Sequence, residues 1–213
     1  MNETINNYLS ELLPASPDWA KTLEAYAKEN KIPIMEPLGI QFLTQLIRLH
    51  KPKCILEVGA AIGYSALKMQ EASPLSQIVT MERDEERYEE AVKNISSNNK
   101  TDSIEVLFGD ALDLMEDFVQ QGKQFDCVFI DAAKGQYGKF FEFADQLVSS
   151  GGLIVTDNVL FRGYVAGIDE IPKKYKNMIR KLRDYNEMLS AHPSYNTTIM
   201  PVGDGVAISL KVF

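Results

Sequence analysis

From residue 54 onward the chain alternates short apolar runs with amphipathic helical patterns five times over, and few architectures accept that rhythm. The runs fall at 54–58, 77–81, 103–108, 125–130 and 152–156; the helical patterns fall at 64–72, 84–98, 111–120, about 139–148 and about 171–189. Apolar strands separated by helices predict a parallel sheet buried on both faces, because each crossover lays a helix against the sheet. The rhythm then breaks. Runs at 197–202 and 206–212 are joined only by Gly203-Asp204-Gly205, too short for a helical crossover. They predict a hairpin, so one strand of a seven-stranded, mostly parallel sheet runs backwards. The first 50 residues are mostly helical in pattern, with Ser16 as cap and Pro17 in the first turn of a helix to about Glu29. No linker, repeat or low-complexity tract divides the chain. A single α/β domain, 1–213, with 1–50 as a helical N-terminal extension, is expected.

The 213 residues carry a formal net charge of −8, with 45% hydrophobic and 24% charged residues, which is ordinary globular composition. No stretch approaches the roughly 18 apolar residues of a membrane span, and Met1-Asn2-Glu3-Thr4 is an acidic, polar opening. A cytoplasmic protein without membrane contact is expected. Cys54 and Cys127 sit in strand-like runs, where reduced, buried thiols are the rule. The two histidines, His50 and His192, lie in no motif, so a His-rich zinc site and a Ser/His/Asp triad drop out.

In an open parallel sheet, ligands bind beyond the carboxyl ends of the strands. The first strand ends Glu57-Val58-Gly59-Ala60-Ala61-Ile62-Gly63, followed by Ser65 in the next helix. Gly-x-x-x-Gly permits a tight turn and close ligand approach, but it is not the Gly-x-Gly-x-x-Gly of a dinucleotide site. A nucleoside without a diphosphate suits it, and so does a plain strand-to-helix turn. Glu82 follows Gly59 by 23 residues, about the interval at which an acid reaches a ribose, though a surface glutamate would read the same way. Asp110, after the third strand, either caps the next helix or meets an adenine. Together these residues resemble the first three motifs of the Rossmann-like S-adenosylmethionine-dependent methyltransferases, and the terminal hairpin matches as well. The resemblance implies that Gly59 and Gly63 border the methionine part and Ser65 lies near its carboxylate. It further implies that Glu82 holds the ribose, that Asp110 and Ala111 meet the adenine, and that Glu57 and Asp131 also serve the donor.

The fourth strand ends in Asp131-Ala132-Ala133-Lys134, and the fifth in Asp157-Asn158. Two carboxylates and an amide converging at one sheet edge form a hard-oxygen set suited to Mg²⁺; alternatively the aspartates cap helices. The pattern resembles the metal-dependent O-methyltransferases related to catechol and caffeoyl-coenzyme A O-methyltransferase. That likeness implies Asp131, Asp157 and Asn158 as metal ligands, Lys134 as candidate base with Asp131 at the reacting centre, and Met35 over the sulfonium end of the donor.

Members of that family methylate catechols, caffeoyl thioesters and, in a bacterial branch, the wobble 5-hydroxyuridine of transfer RNA. Between Pro172 and Arg183 stand six basic residues and no acid, close after the metal loop with its Arg162. Such a block either holds phosphates or is a solvated helix face. The segments 131–137, 157–166 and 201–209 resemble the tRNA-modifying branch. This implies that Arg162, Lys173, Lys174, Lys176 and Arg180 meet a tRNA anticodon stem-loop, against which the overall acidity speaks. A catechol-type enzyme and a non-catalytic nucleoside binder are the alternatives. A homodimer is expected.

Overall fold

A computed structural model describes residues 3–212. Three helices come first: α1 (Glu3–Glu11), α2 (Asp18–Glu29) and α3 (Pro37–His50). The alternating part follows as β1 (Cys54–Val58), α4 (Tyr64–Ala72), β2 (Gln77–Glu82), α5 (Glu85–Ser97), β3 (Ile104–Phe108), α6 (Ala111–Gln120), β4 (Phe125–Ile130), α7 (Tyr137–Leu147) and β5 (Val148–Thr156). The chain then runs through α8 (Lys176–Ala191), β6 (Tyr195–Met200) and β7 (Val206–Lys211). The strands form one sheet in the order β3-β2-β1-β4-β5-β7-β6, in which β7 alone is antiparallel to its neighbours β5 and β6. This is the expected Rossmann-like α/β architecture.

Alternation along each strand divides the core. Leu56, Val58, Val128 and Ile130 face α6, α7 and α8, while Ile55, Cys127 and Phe129 face α2, α3, α4 and α5. Each large side chain fully buried in this way contributes roughly 1.5–3 kcal/mol. The N-terminal helices are therefore part of the core: Leu23, Ile40, Leu43 and Ile47 close one face of the sheet. Cys54 and Cys127 are unpaired thiols, and burial raises that of Cys127 to about 12. Among the described residues no helix is long and apolar enough to cross a membrane.

Three expectations shift. Ser16 does not cap α2, because its hydroxyl donates to Glu24 (3.0 Å), which also accepts from Tyr64 (2.8 Å); Pro17 occupies the cap position with its carbonyl taking the N–H of Lys21. The last long helix begins at Lys176 rather than 171, after a separate 3₁₀ turn at Lys173–Tyr175. That turn lays Tyr175 edge-on against Phe161, with ring centroids 5.3 Å apart. Finally, β5 starts at Val148, with a pairing irregularity against β4 that absorbs Gly151 and Gly152.

Candidate active site

The carboxyl ends of β1 to β5 and the β6–β7 turn surround one cleft of about 480 Å³. Its floor is the turn after β1. Gly59 has φ +106°, and a Cβ there would overlap the carbonyl oxygen of Asp131, so the ends of β1 and β4 meet only because residue 59 is glycine. The N–H groups of Gly59 and Ala60 both donate to the Met81 carbonyl, and Gly63 opens α4 with Ser65 exposed to the cleft.

Glu82 secures this turn. Its carboxylate accepts from the backbone N–H of Ala61 (2.9 Å), Arg83 (2.9 Å) and Asp84 (3.0 Å) while lining the cleft. A carboxylate oxygen has two lone pairs, so acceptor capacity remains for a ligand hydroxyl. Asp110 takes the capping role and also lines the cleft. Oδ1 caps α6 through Leu112 N–H (2.9 Å), and Oδ2 stands 3.8 Å from Arg83 on the cleft wall. Ala111 and Met35 also line the cleft.

Glu57 is placed differently from its expected role as a donor contact. Strand alternation turns it away from the cleft, into the layer beneath α4, and it is absent from the cleft lining. Thr80 donates to Oε2, Ser65 lies beside the carboxyl, and Oε1 has no partner among the described residues. Burial raises its pKa to about 7, opposed by the two hydroxyls.

At the other end of the cleft stand Asp131, Lys134, Asp157 and Asn158. Neither aspartate is the cap residue of a following helix, so the capping alternative does not hold. Burial raises the carboxyl of Asp131, with Lys134 opposing. Asp157 rises to about 7 through burial and the charge of Asp131, reinforced by Asp204 and opposed by the Asn158 amide and Lys134. Asn158 has φ +57° and donates its side-chain amide to Asp157 Oδ2 (3.0 Å). The described residues contain no group of three His, Cys, Asp or Glu able to hold a metal; the candidate set is two carboxylates and an amide. That set suits Mg²⁺, which takes one or two carboxylates and fills its remaining positions with water or substrate oxygen. Two neighbouring carboxylates, both raised by burial and Asp157 raised further by the charge of Asp131, are what a bound cation would relieve.

The basic block divides by position. Arg162 lines the cleft; Lys173, Lys174, Lys176 and Arg180 are exposed outside its lining. The other two are tethers: Lys181 holds the Gly135 carbonyl (3.0 Å), and Arg183 holds those of Val165 (2.9 Å) and Tyr164 (3.1 Å). Sequence reasoning missed Arg83, Arg87, Phe161 and Asp204 on the cleft wall. For Asp204 the signal was present, an acid between two glycines at a hairpin turn.

Residues 16–212 match the family model described as O-methyltransferase, and the chain belongs to that family. It is 33% identical to a catechol O-methyltransferase of Niastella koreensis, covering 98% of this chain and 96% of that one. A Staphylococcus aureus structure, provisionally classed as a caffeoyl-CoA O-methyltransferase, superposes with a TM-score of 0.86 at 35% identity over 99% of both chains. A Bacillus cereus O-methyltransferase crystallised with S-adenosylhomocysteine gives 0.85 at 27% identity, covering 98% of this chain and 97% of that one.

Proposed function

We propose that the protein transfers the methyl group of S-adenosylmethionine to a hydroxyl flanked by a second oxygen, in a Mg²⁺-dependent reaction. We further propose that the acceptor is 5-hydroxyuridine at the tRNA wobble position, giving 5-methoxyuridine. The observation that carries the chemistry is the single cleft with the glycine turn and Glu82 at one end and Asp131, Asp157, Asn158 and Lys134 at the other. The B. cereus relative, which binds the demethylated donor, supports the first end.

Glu82 would accept a ribose hydroxyl with its remaining lone pair, Asp110 would meet the adenine, and Gly59 leaves room for the methionine part. Asp131, Asp157 and Asn158 would hold the cation, which when bound lowers the pKa of a chelated hydroxyl and templates the two oxygens. Lys134 stands over the acceptor region, its Nζ 5.9 Å from the Phe161 ring centroid. There it takes the hydroxyl proton when neutral, or steadies the oxyanion when charged.

The choice of tRNA is supported by Arg162 inside the cleft and by the exposed Lys173, Lys174, Lys176 and Arg180 beside it. A 5-hydroxyuracil ring offers O5 next to O4, as a catechol offers two hydroxyls. The N. koreensis relative favours a second reading, methylation of a free catechol. Incubation of labelled donor with bulk tRNA lacking the modification, and separately with catechol, with and without chelator, tests both. Chelator-sensitive 5-methoxyuridine is expected. Rapid catechol turnover with silent tRNA would replace the first reading by the second, and the Asp157→Ala variant should reproduce the effect of chelator.

A further inference from the structure

The β6–β7 turn grips the loop after β5 through one residue. Leu160 N–H and Phe161 N–H donate to the Asp204 carbonyl (2.8 and 3.0 Å), and Arg162 N–H donates to Asp204 Oδ1 (3.1 Å). The next residue continues the contact, since Val159 N–H donates to the Gly205 carbonyl (3.0 Å). Gly205 has φ +91°, and a Cβ there would overlap the Leu160 side chain, so turn and loop lie in direct contact. The loop held this way is bent where side-chain-bearing residues resist bending: φ is +33° at Phe161 and +55° at Arg162. Such conformations persist when the surroundings over-determine them, and they gather at functional sites. Here the determining bonds come from a residue far along the chain, 42 positions beyond Arg162.

Phe161, Arg162 and Asp204 all line the cleft on the Lys134 side. The Phe161 ring is backed by Tyr175 at 5.3 Å and Tyr164 at 6.3 Å between centroids, and flanked by the Lys134 and Arg162 cations at 5.9 and 5.6 Å. Its accessible part is thus an aromatic surface beside two positive charges, complementary to a planar, oxygen-rich ring. The donor end is braced independently, through Ala61, Arg83, Asp84 and Leu112 N–H groups on Glu82 and Asp110.

We propose that Asp204 is a positioning residue for the acceptor, fixing Phe161 and Arg162 as the wall against which a planar oxygenated ring is seated beside Lys134. This rests on the methyl-transfer reading above. Without the carboxylate, Arg162 N–H loses its partner while the backbone bonds from residues 159–161 remain, so the loop stays docked but its Arg162 end is no longer fixed beside Phe161; even a small misplacement at a reacting centre lowers the rate.

The test compares wild type, Asp204→Ala and Asp204→Asn. A 5-hydroxyuridine anticodon stem-loop and free catechol serve as acceptors, and donor affinity is measured by calorimetry. Asp204→Ala should raise acceptor KM about tenfold, the effect of removing one hydrogen bond, with donor affinity unchanged. Asp204→Asn keeps an oxygen for Arg162 N–H and should recover most of the loss. A readout without acceptor is trypsin cleavage after Arg162, followed by mass spectrometry, which should be several-fold faster in Asp204→Ala alone. Unchanged KM, unchanged cleavage, or an Asn variant as impaired as Ala would each overturn the assignment. If wild type methylates neither acceptor, the proposed acceptors fail, and the trypsin comparison still decides whether Asp204 fixes the wall.

Discussion

The Tyr137 hydroxyl donates to the backbone carbonyl of Asp157 across 2.9 Å, so the first turn of α7 holds the end of β5 in place. Tyr185, packed edge-on to Tyr137 at 5.5 Å, pairs with the Thr156 hydroxyl one residue earlier (2.8 Å). Burial raises both phenols far above their ordinary range, so both keep their protons. Tyr137→Phe should leave a buried carbonyl unpaired, destabilising the protein by about 1–3 kcal/mol. It should also weaken Mg²⁺ binding through movement of Asp157, without changing donor affinity. Denaturant titration and calorimetry on the same variant check both parts.

Glu82→Ala should raise the donor Kd by about 10- to 100-fold, because a ribose hydroxyl and three backbone N–H groups all lose an acceptor. Turnover at saturating donor should change little. Fluorescence titration with S-adenosylhomocysteine measures the affinity, and an unchanged Kd would remove Glu82 from the donor site.

Stability of the metal-free protein should fall as pH rises. Glu57 and Asp157 each titrate near 7 in the folded chain, against about 4 unfolded. Between those values the folded state binds more protons than the unfolded one, so each group lowers stability by up to about 1.4 kcal/mol per pH unit. Their contribution is complete below about pH 4 and gone above about pH 7. Thermal melts in chelator at pH 5 to 8 should show the decline, and Glu57→Gln should make it shallower. Mg²⁺ should raise Tm more at pH 8 than at pH 6, since the ligand carboxylate is already ionised there.

Two exposed lysines give the RNA reading its own measurement. Lys173→Ala/Lys174→Ala should weaken tRNA binding and reduce the slope of log K against log salt by about one to two units, one or slightly less for each phosphate no longer neutralised. Chemistry on a short hydroxyuridine substrate should be nearly unaffected. Identical slopes in wild type and variant would mean that the run is a solvated face.

The strand runs and most helix spans are legible in the sequence because their determinants are local: periodic apolar residues and turn glycines. What escaped depended on distant partners. Ser16 looks like a cap until Glu24, itself held by Tyr64, takes its hydroxyl, and the start of α8 moves because Tyr175 packs on Phe161. Glu57 sits within the recognisable glycine motif, yet strand alternation sends it behind the cleft rather than into it. The motif acids at strand ends were visible as sequence, since topology alone gathers strand ends at one edge. Asp204 reads in sequence only as part of a turn, because its hold on residues 160–162 exists only once β7 pairs with β5.

That pairing also sets the order in which the sheet can close during synthesis. Since β7 comes last among the strands but lies inside the sheet, the exposed edge of β5 and all of β6 wait for it. Until β7 docks, β6 has nothing to pair with and the edge of β5 is open to other chains. The sheet is therefore complete only when β7 lies between β5 and β6, and before that the loop at residues 160–162 lacks the turn that shapes it.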